Sequence, residues 1–133
     1  FPQGGIQHKE SPLQALYREL REEVGLNKKD VDIIGSTKEW LHYHLPKHLW
    51  RSNSNPLCVG QKQLWYMLQF TGSDERVRLD LSARPEFDNW RWIDYWQPIN
   101  EVIYFKRKVY RQALREFAPL IPAGTKKYQH RVL

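Results

Sequence analysis

Apolar residues near the start of the chain fall at Leu13, Leu16, Tyr17, Leu20 and Val24, three or four positions apart. That interval is the period of one helical face. Ser11 stands where an N-cap belongs, Pro12 suits the first helical position, and Gln14 completes a capping-box spacing with Ser11. Gly25 supplies a C-terminal stop. The pattern predicts a helix from Pro12 to the edge of Gly25.

Further along, the periodicity turns to strands. Val31–Thr37 reads as a strand, and Glu39–Leu45 as another extended segment. Lys47–Gly60 is loop-like, with breaks at Pro46, Asn53, Asn55 and Pro56. Gln61–Phe70 alternates, with Leu64, Tyr66, Leu68 and Phe70 on one face. Thr71–Arg76 is a turn, Val77, Leu79 and Leu81 mark a short strand, and Trp90–Ile93 marks another. Phe105–Ala118 reads as a second amphipathic helix, its apolar side being Phe105, Val109, Ala113, Leu114 and Phe117. The six tryptophans are expected mostly in the core, with Trp50, in a polar loop, the one expected to be exposed.

The polar face of the first helix changes the picture. Glu19, Glu22 and Glu23 lie three and four residues apart, so a helix places their carboxylates side by side, away from the apolar stripe. Like charges at that spacing repel. Two readings stand: a solvated acidic surface, or a site for a hard divalent cation that prefers oxygen ligands. Gly4 and Gly5 just upstream allow the backbone to approach a ligand closely.

Composition sets outer bounds. A chain of 133 residues suffices for a single core. No apolar run is long enough to span a bilayer and no secretory signal opens the sequence. Cys58 is the sole cysteine, which rules out an internal disulfide framework and fits a reducing, cytoplasmic setting. The five histidines show no metal-ligand spacing, and His42 and His44 alternate on a strand as surface or substrate-facing groups. Net charge is +6, although the first helix is acidic, so positive charge gathers elsewhere. It lies in Lys106, Arg107, Lys108, Arg111 and Arg115, in Lys47, His48 and Arg51, and in Lys126, Lys127 and Arg131. Such clusters attract polyanions, nucleic acid included; a solvated helix face accounts equally well for Arg111 and Arg115.

The run from Gly4 to Leu26 resembles the box of the Nudix hydrolases at every fixed position. That box is Gly, five residues, Glu, seven residues, Arg-Glu-aliphatic, one residue, Glu-Glu, one residue, Gly-aliphatic. Here the positions are Gly4, Glu10, Arg18, Glu19, Leu20, Glu22, Glu23, Gly25 and Leu26. The resemblance implies an α/β Nudix fold, a mixed sheet packed between helices, and cleavage of a diphosphate linked to another moiety. It implies Mg²⁺, with Mn²⁺ or another divalent cation able to substitute. By the same resemblance Glu19, Glu22 and Glu23 are metal ligands joined by the Gly4 carbonyl, while Gly5, Glu10, Arg18 and Gly25 shape the loop and helix.

Segments beyond the box narrow the likeness. FPQGG, GQKQLWYML (Gly60–Leu68), PEFDNWRW (Pro85–Trp92) and FKRKVY (Phe105–Tyr110) resemble the bacterial RNA 5′-pyrophosphohydrolases, from Phe1 to about Ala118. The likeness implies conversion of RNA 5′-triphosphate or 5′-diphosphate ends to monophosphate, which initiates messenger RNA decay. Glu23, Glu22 and Glu86 become catalytic candidates, Glu86 also a further metal ligand. Gln3, Gln61, Phe105 and Lys106 become substrate contacts, with Phe105 open to a core or a base-stacking role. Dinucleoside polyphosphates are the alternative substrate; a non-catalytic RNA-binding Nudix module is the other alternative. Residues 1–121 are expected to form one domain that lacks at least one N-terminal strand usual in such relatives, and 122–133 a basic flexible tail. The sequence names no protein partner.

Overall fold

The computed structural model describes residues 1–50, 59–121 and 129–132. Of the residues named above, Arg51, Asn53, Asn55, Pro56, Cys58, Lys126 and Lys127 lie outside the described residues, as do positions 122–128 and 133 of the expected tail.

The first helix, α1, runs Pro12–Val24. Its capping box forms as the sequence predicts: Ser11 Oγ accepts the Gln14 N–H at 3.1 Å, and Gln14 Oε1 accepts the Ser11 N–H at 2.9 Å. At the other end Gly25 adopts the left-handed conformation, φ 73°, and its N–H closes onto the Arg21 carbonyl. Strand β1 spans Val31–Ser36, β2 Leu41–His44, β3 Gly60–Gln63, β4 Tyr66–Phe70 and β5 Arg91–Asp94. A short helix α2, Pro98–Glu101, precedes α3, Arg107–Phe117, and Gln129–Val132 forms β6. The strands pair two by two: β1 with β4, β2 with β3, and β5 with β6. This is a mixed α/β architecture.

Two compact units divide the chain. The first comprises Phe1–Ile34, Leu68–Ile93 and His130–Leu133. Its core is Leu20, Val24, Leu26 and Val31, with Tyr17, Leu68, Phe70, Val77 and Leu79 packed around them. Asp30, buried at 5% exposure, stitches this unit together. Its carboxylate accepts the Asn27 N–H at 2.8 Å and Arg76 Nε at 3.2 Å, and its carbonyl accepts both the N–H and the hydroxyl of Thr71. The second unit comprises Gly35–Met67 and Asp94–Gln129. There α3 packs on β2 and α2, burying Val109, Ala113, Leu114 and Phe117. The Tyr95 hydroxyl donates to the Leu114 carbonyl at 2.7 Å.

Four expectations need correction. Gln61–Phe70 is two strands, because at the break Thr37 takes both backbone groups of Trp65: its N–H donates to the Trp65 carbonyl, and its hydroxyl accepts the Trp65 N–H. Val77–Leu81 is not a strand. The Arg78 N–H donates to the Val24 carbonyl at 2.8 Å, so this backbone serves the end of α1, although Val77 and Leu79 still turn into the core. Phe105 stands before α3, in a 3₁₀ turn over Tyr104–Lys106, and not in the helix. No described tryptophan is fully buried: Trp65, Trp90 and Trp92 are half-buried, Trp40 and Trp50 are each 37% exposed and Trp96 48%. The indole N–H explains part of this, since Trp50, Trp65 and Trp92 direct theirs at Leu45, Gln63 and Asp74. Trp50 fits its expected exposure.

Candidate active site

Arg18, midway along α1, organises the first unit. Its Nε and Nη2 grip the two Glu10 oxygens at 2.8 and 3.0 Å, while Nη2 also reaches the Gly5 carbonyl at 2.7 Å. Nη1 donates to Glu19 at 2.6 Å and to Glu22 at 3.3 Å. One guanidinium thus ties the glycine loop to the helix and flanks two of the three carboxylates. A charged planar fork suits this work because its donors point in fixed directions. Glu10 also accepts the Gln7 N–H. The Arg18 hydrogen bonds hold the Glu10 carboxyl below its usual range, and Glu10 in turn raises Arg18, so both stay charged.

Glu23 occupies the buried flank. It is 4% exposed, and its Oε2 accepts the Gln3 N–H at 2.9 Å. Its Oε1 is buried without a hydrogen-bond partner. Burial, then the Glu86 carboxyl facing it, then the Glu19 charge push Glu23 up to about 8, with the Gln3 N–H opposing. Two carboxylates can face one another only if a proton or a cation lies between them. Glu86 itself is exposed, in the irregular segment between Leu81 and Trp90.

Among the described residues no three His, Cys, Asp or Glu side chains form a ready cage for a metal; Arg18 draws Glu19 and Glu22 to its own side. The chemistry nevertheless fits a hard divalent ion. The donors are all oxygen, and the orphaned Glu23 Oε1 needs a cationic or protonic partner. Gly4 lies so close that a Cβ there would overlap the Glu19 carboxylate.

The first unit therefore brings together Gln3, Gly4, Gly5, Glu10, Arg18, Glu19, Glu22, Glu23 and Glu86. The second unit carries Gln61, Phe105 and Lys106, and there Tyr43 links them. Tyr43 is the register partner of Gln61 across β2 and β3. Its ring lies 5.8 Å from that of Phe105, and Lys106 Nζ sits 5.5 Å from its centroid. Sequence reasoning passed over Tyr43; its inward place between His42 and His44 in an alternating strand was the available signal.

The match to the NUDIX domain over residues 1–119 places this arrangement in a known class: the chain belongs to the Nudix hydrolase family. Individual relatives are close as well. The RNA pyrophosphohydrolase of Thioalkalivibrio sulfidiphilus (strain HL-EbGR7) is 60% identical over 125 residues, covering 93% of this chain and 72% of that protein. That of Ectopseudomonas mendocina (strain ymp) is 59% identical, covering 90% and 75% respectively. That of Stutzerimonas stutzeri (strain A1501) is 57% identical, covering 92% and 77%. Among the described residues no helix is long and apolar enough to cross a membrane.

Proposed function

We propose that this chain hydrolyses the 5′-triphosphate or 5′-diphosphate end of RNA to a 5′-monophosphate, releasing pyrophosphate or phosphate. The similarity to proteins named RNA pyrophosphohydrolase supports the substrate. The observation that carries the chemistry is the buried Glu23 carboxylate, with one oxygen unpartnered and Glu86 opposite.

Glu19, Glu22, Glu23, Glu86 and the Gly4 carbonyl would hold Mg²⁺, or Mn²⁺ in its place, and the bound ion would supply neutralisation of phosphate charge and a lowered pKa for the attacking water. Water forms a new bond to phosphorus while the phosphoanhydride P–O bond breaks on the opposite side. Glu23 Oε1 is the proton acceptor, its other oxygen fixed by the Gln3 N–H. Arg18 keeps the glycine loop in place through Glu10 and the Gly5 carbonyl. On the second unit Phe105 stacks on an unpaired base and Lys106 meets a phosphate or base edge, a pairing suited to a single-stranded end. Gln3 and Gln61 add polar contacts. The setting is cytoplasmic, and the product is the RNA end that enters decay.

The deciding experiment compares triphosphorylated RNA, diphosphorylated RNA and diadenosine tetraphosphate side by side with Mg²⁺. Higher kcat/KM on RNA supports the proposal; strong preference for the dinucleotide overturns it.

A further inference from the structure

Helix α3 carries a charge pattern that the reaction above does not use. At about 100° per residue, Arg107, Arg111, Arg115 and Lys108 fall within roughly one quarter to one third of the helix circumference. All four are exposed, while Val109, Ala113, Leu114 and Phe117 form the buried side. No Asp or Glu stands three or four residues from any of them. Among the described residues none of the four forms an ion pair. The acid of α3, Glu116, is turned about 100° from Arg115, where its carboxylate accepts the Lys38 N–H at 3.5 Å.

This arrangement works against the helix. Arg107, Arg111 and Arg115 repeat at four-residue intervals, where like charges repel. Arg107 and Lys108 also occupy the first turn, the end at which the helix dipole disfavours cations, with no acid there to offset them. The stripe contains no apolar side chain of the kind that forms the centre of a protein interface. It rises about 12 Å along the axis and begins directly after Lys106, the residue assigned above to the RNA end.

We propose that this stripe of α3 binds the phosphate backbone of the RNA downstream of its 5′-terminal nucleotides. Guanidinium groups suit phosphate oxygens by paired donation, and a row of cations without local acids is the footprint of backbone binding. The inference rests on the RNA reading of the site.

The test is a variant with Arg107→Gln, Lys108→Gln, Arg111→Gln and Arg115→Gln, which retains helix-forming side chains. Binding of a single-stranded 5′-hydroxyl oligoribonucleotide is measured across a salt series, and hydrolysis of a triphosphorylated dinucleotide is measured alongside. Oligonucleotide affinity is expected to fall at least about tenfold at low salt. The slope of log affinity against log salt should shrink by about 0.7 for each phosphate that the variant no longer neutralises. Dinucleotide turnover stays at the wild-type rate, and a variant with lysine at Arg107, Arg111 and Arg115 keeps the salt slope. The single variant Arg111→Gln, with a loss of about twofold to threefold, serves if the fourfold variant does not fold. Unchanged oligonucleotide affinity and slope overturn the proposal, including the case in which the stripe serves an acidic protein. If the wild type prefers diadenosine tetraphosphate to RNA, the proposed activity fails, yet the 5′-hydroxyl binding measurement still decides the stripe.

Discussion

Arg18 grips both carboxylate oxygens of Glu10, at 2.8 and 3.0 Å, from a helix eight residues further along the chain. That paired contact fixes the loop between Gly4 and Glu10 against α1. Lysine keeps the charge but not the fork, so Arg18→Lys is expected to lower kcat/KM by about 10- to 100-fold, equal to roughly 1.4–2.8 kcal/mol. The half-saturating Mg²⁺ concentration should rise in the same titration. Unchanged turnover would remove the bracing role.

Gly4→Ala tests how close the loop comes to the metal-binding candidates. The added Cβ would land on the Glu19 carboxylate, the mobile end of a side chain. The carboxylate can swing away, so the fold should survive with Tm nearly unchanged, while Mg²⁺ affinity measured by calorimetry falls about tenfold or more. Loss of Tm with retained Mg²⁺ affinity would contradict this account.

Glu23→Gln removes the proton acceptor and a charge buried beside Glu86 and Glu19. Turnover is expected to drop by at least about a thousandfold, while binding of 5′-triphosphorylated RNA largely persists. The metal-free variant should melt no lower than wild type, because the glutamine amide oxygen can still accept the Gln3 N–H while the acid that burial disfavours as a charge is gone. Retained hydrolysis would disprove the role given to Glu23.

Asp30 sets an acid limit on stability. The Asn27 N–H first, and Arg76 as well, hold its carboxyl below the usual value of 3.8, against the opposing effect of burial. A depressed folded-state pKa means the unfolded chain takes up its proton first on acidification. The stabilisation is therefore complete above 3.8 and is lost as pH falls through the lower folded value. Asp30→Asn should cost about 1–3 kcal/mol in urea unfolding at neutral pH, and the gap from wild type should close below pH 3.8. A gap that does not change with pH would show that the charge is not what stabilises.

The separation between what was legible and what was not follows the range of the interactions. Ser11, Pro12, Gln14 and Gly25 mark the limits of α1 through bonds to residues a few positions away, and those bonds can be read from spacing. The same holds for the carboxylate face of Glu19, Glu22 and Glu23 and for the Nudix box around it. The alternating Val77–Leu81 could not be read that way. Its apolar residues do face the core, but the Arg78 N–H meets the Val24 carbonyl, a partner more than fifty residues back. Thr37 breaks Gln61–Phe70 for a similar reason, by capturing Trp65 from a distant part of the chain.

By itself, the sequence determined the helix that carries the acids and their shared face, because helical periodicity and capping are local, and the resemblance of Gly4–Leu26 to the Nudix box pointed to the family. Only the tertiary structure decided that Glu23 is the buried member with an unpartnered oxygen, that Glu86 meets it, and that Arg18 flanks Glu19 and Glu22. It likewise decided that Tyr43 joins Phe105 and Lys106. Burial and charge pairing depend on which distant segments fold against one another, and one-dimensional spacing does not contain that information.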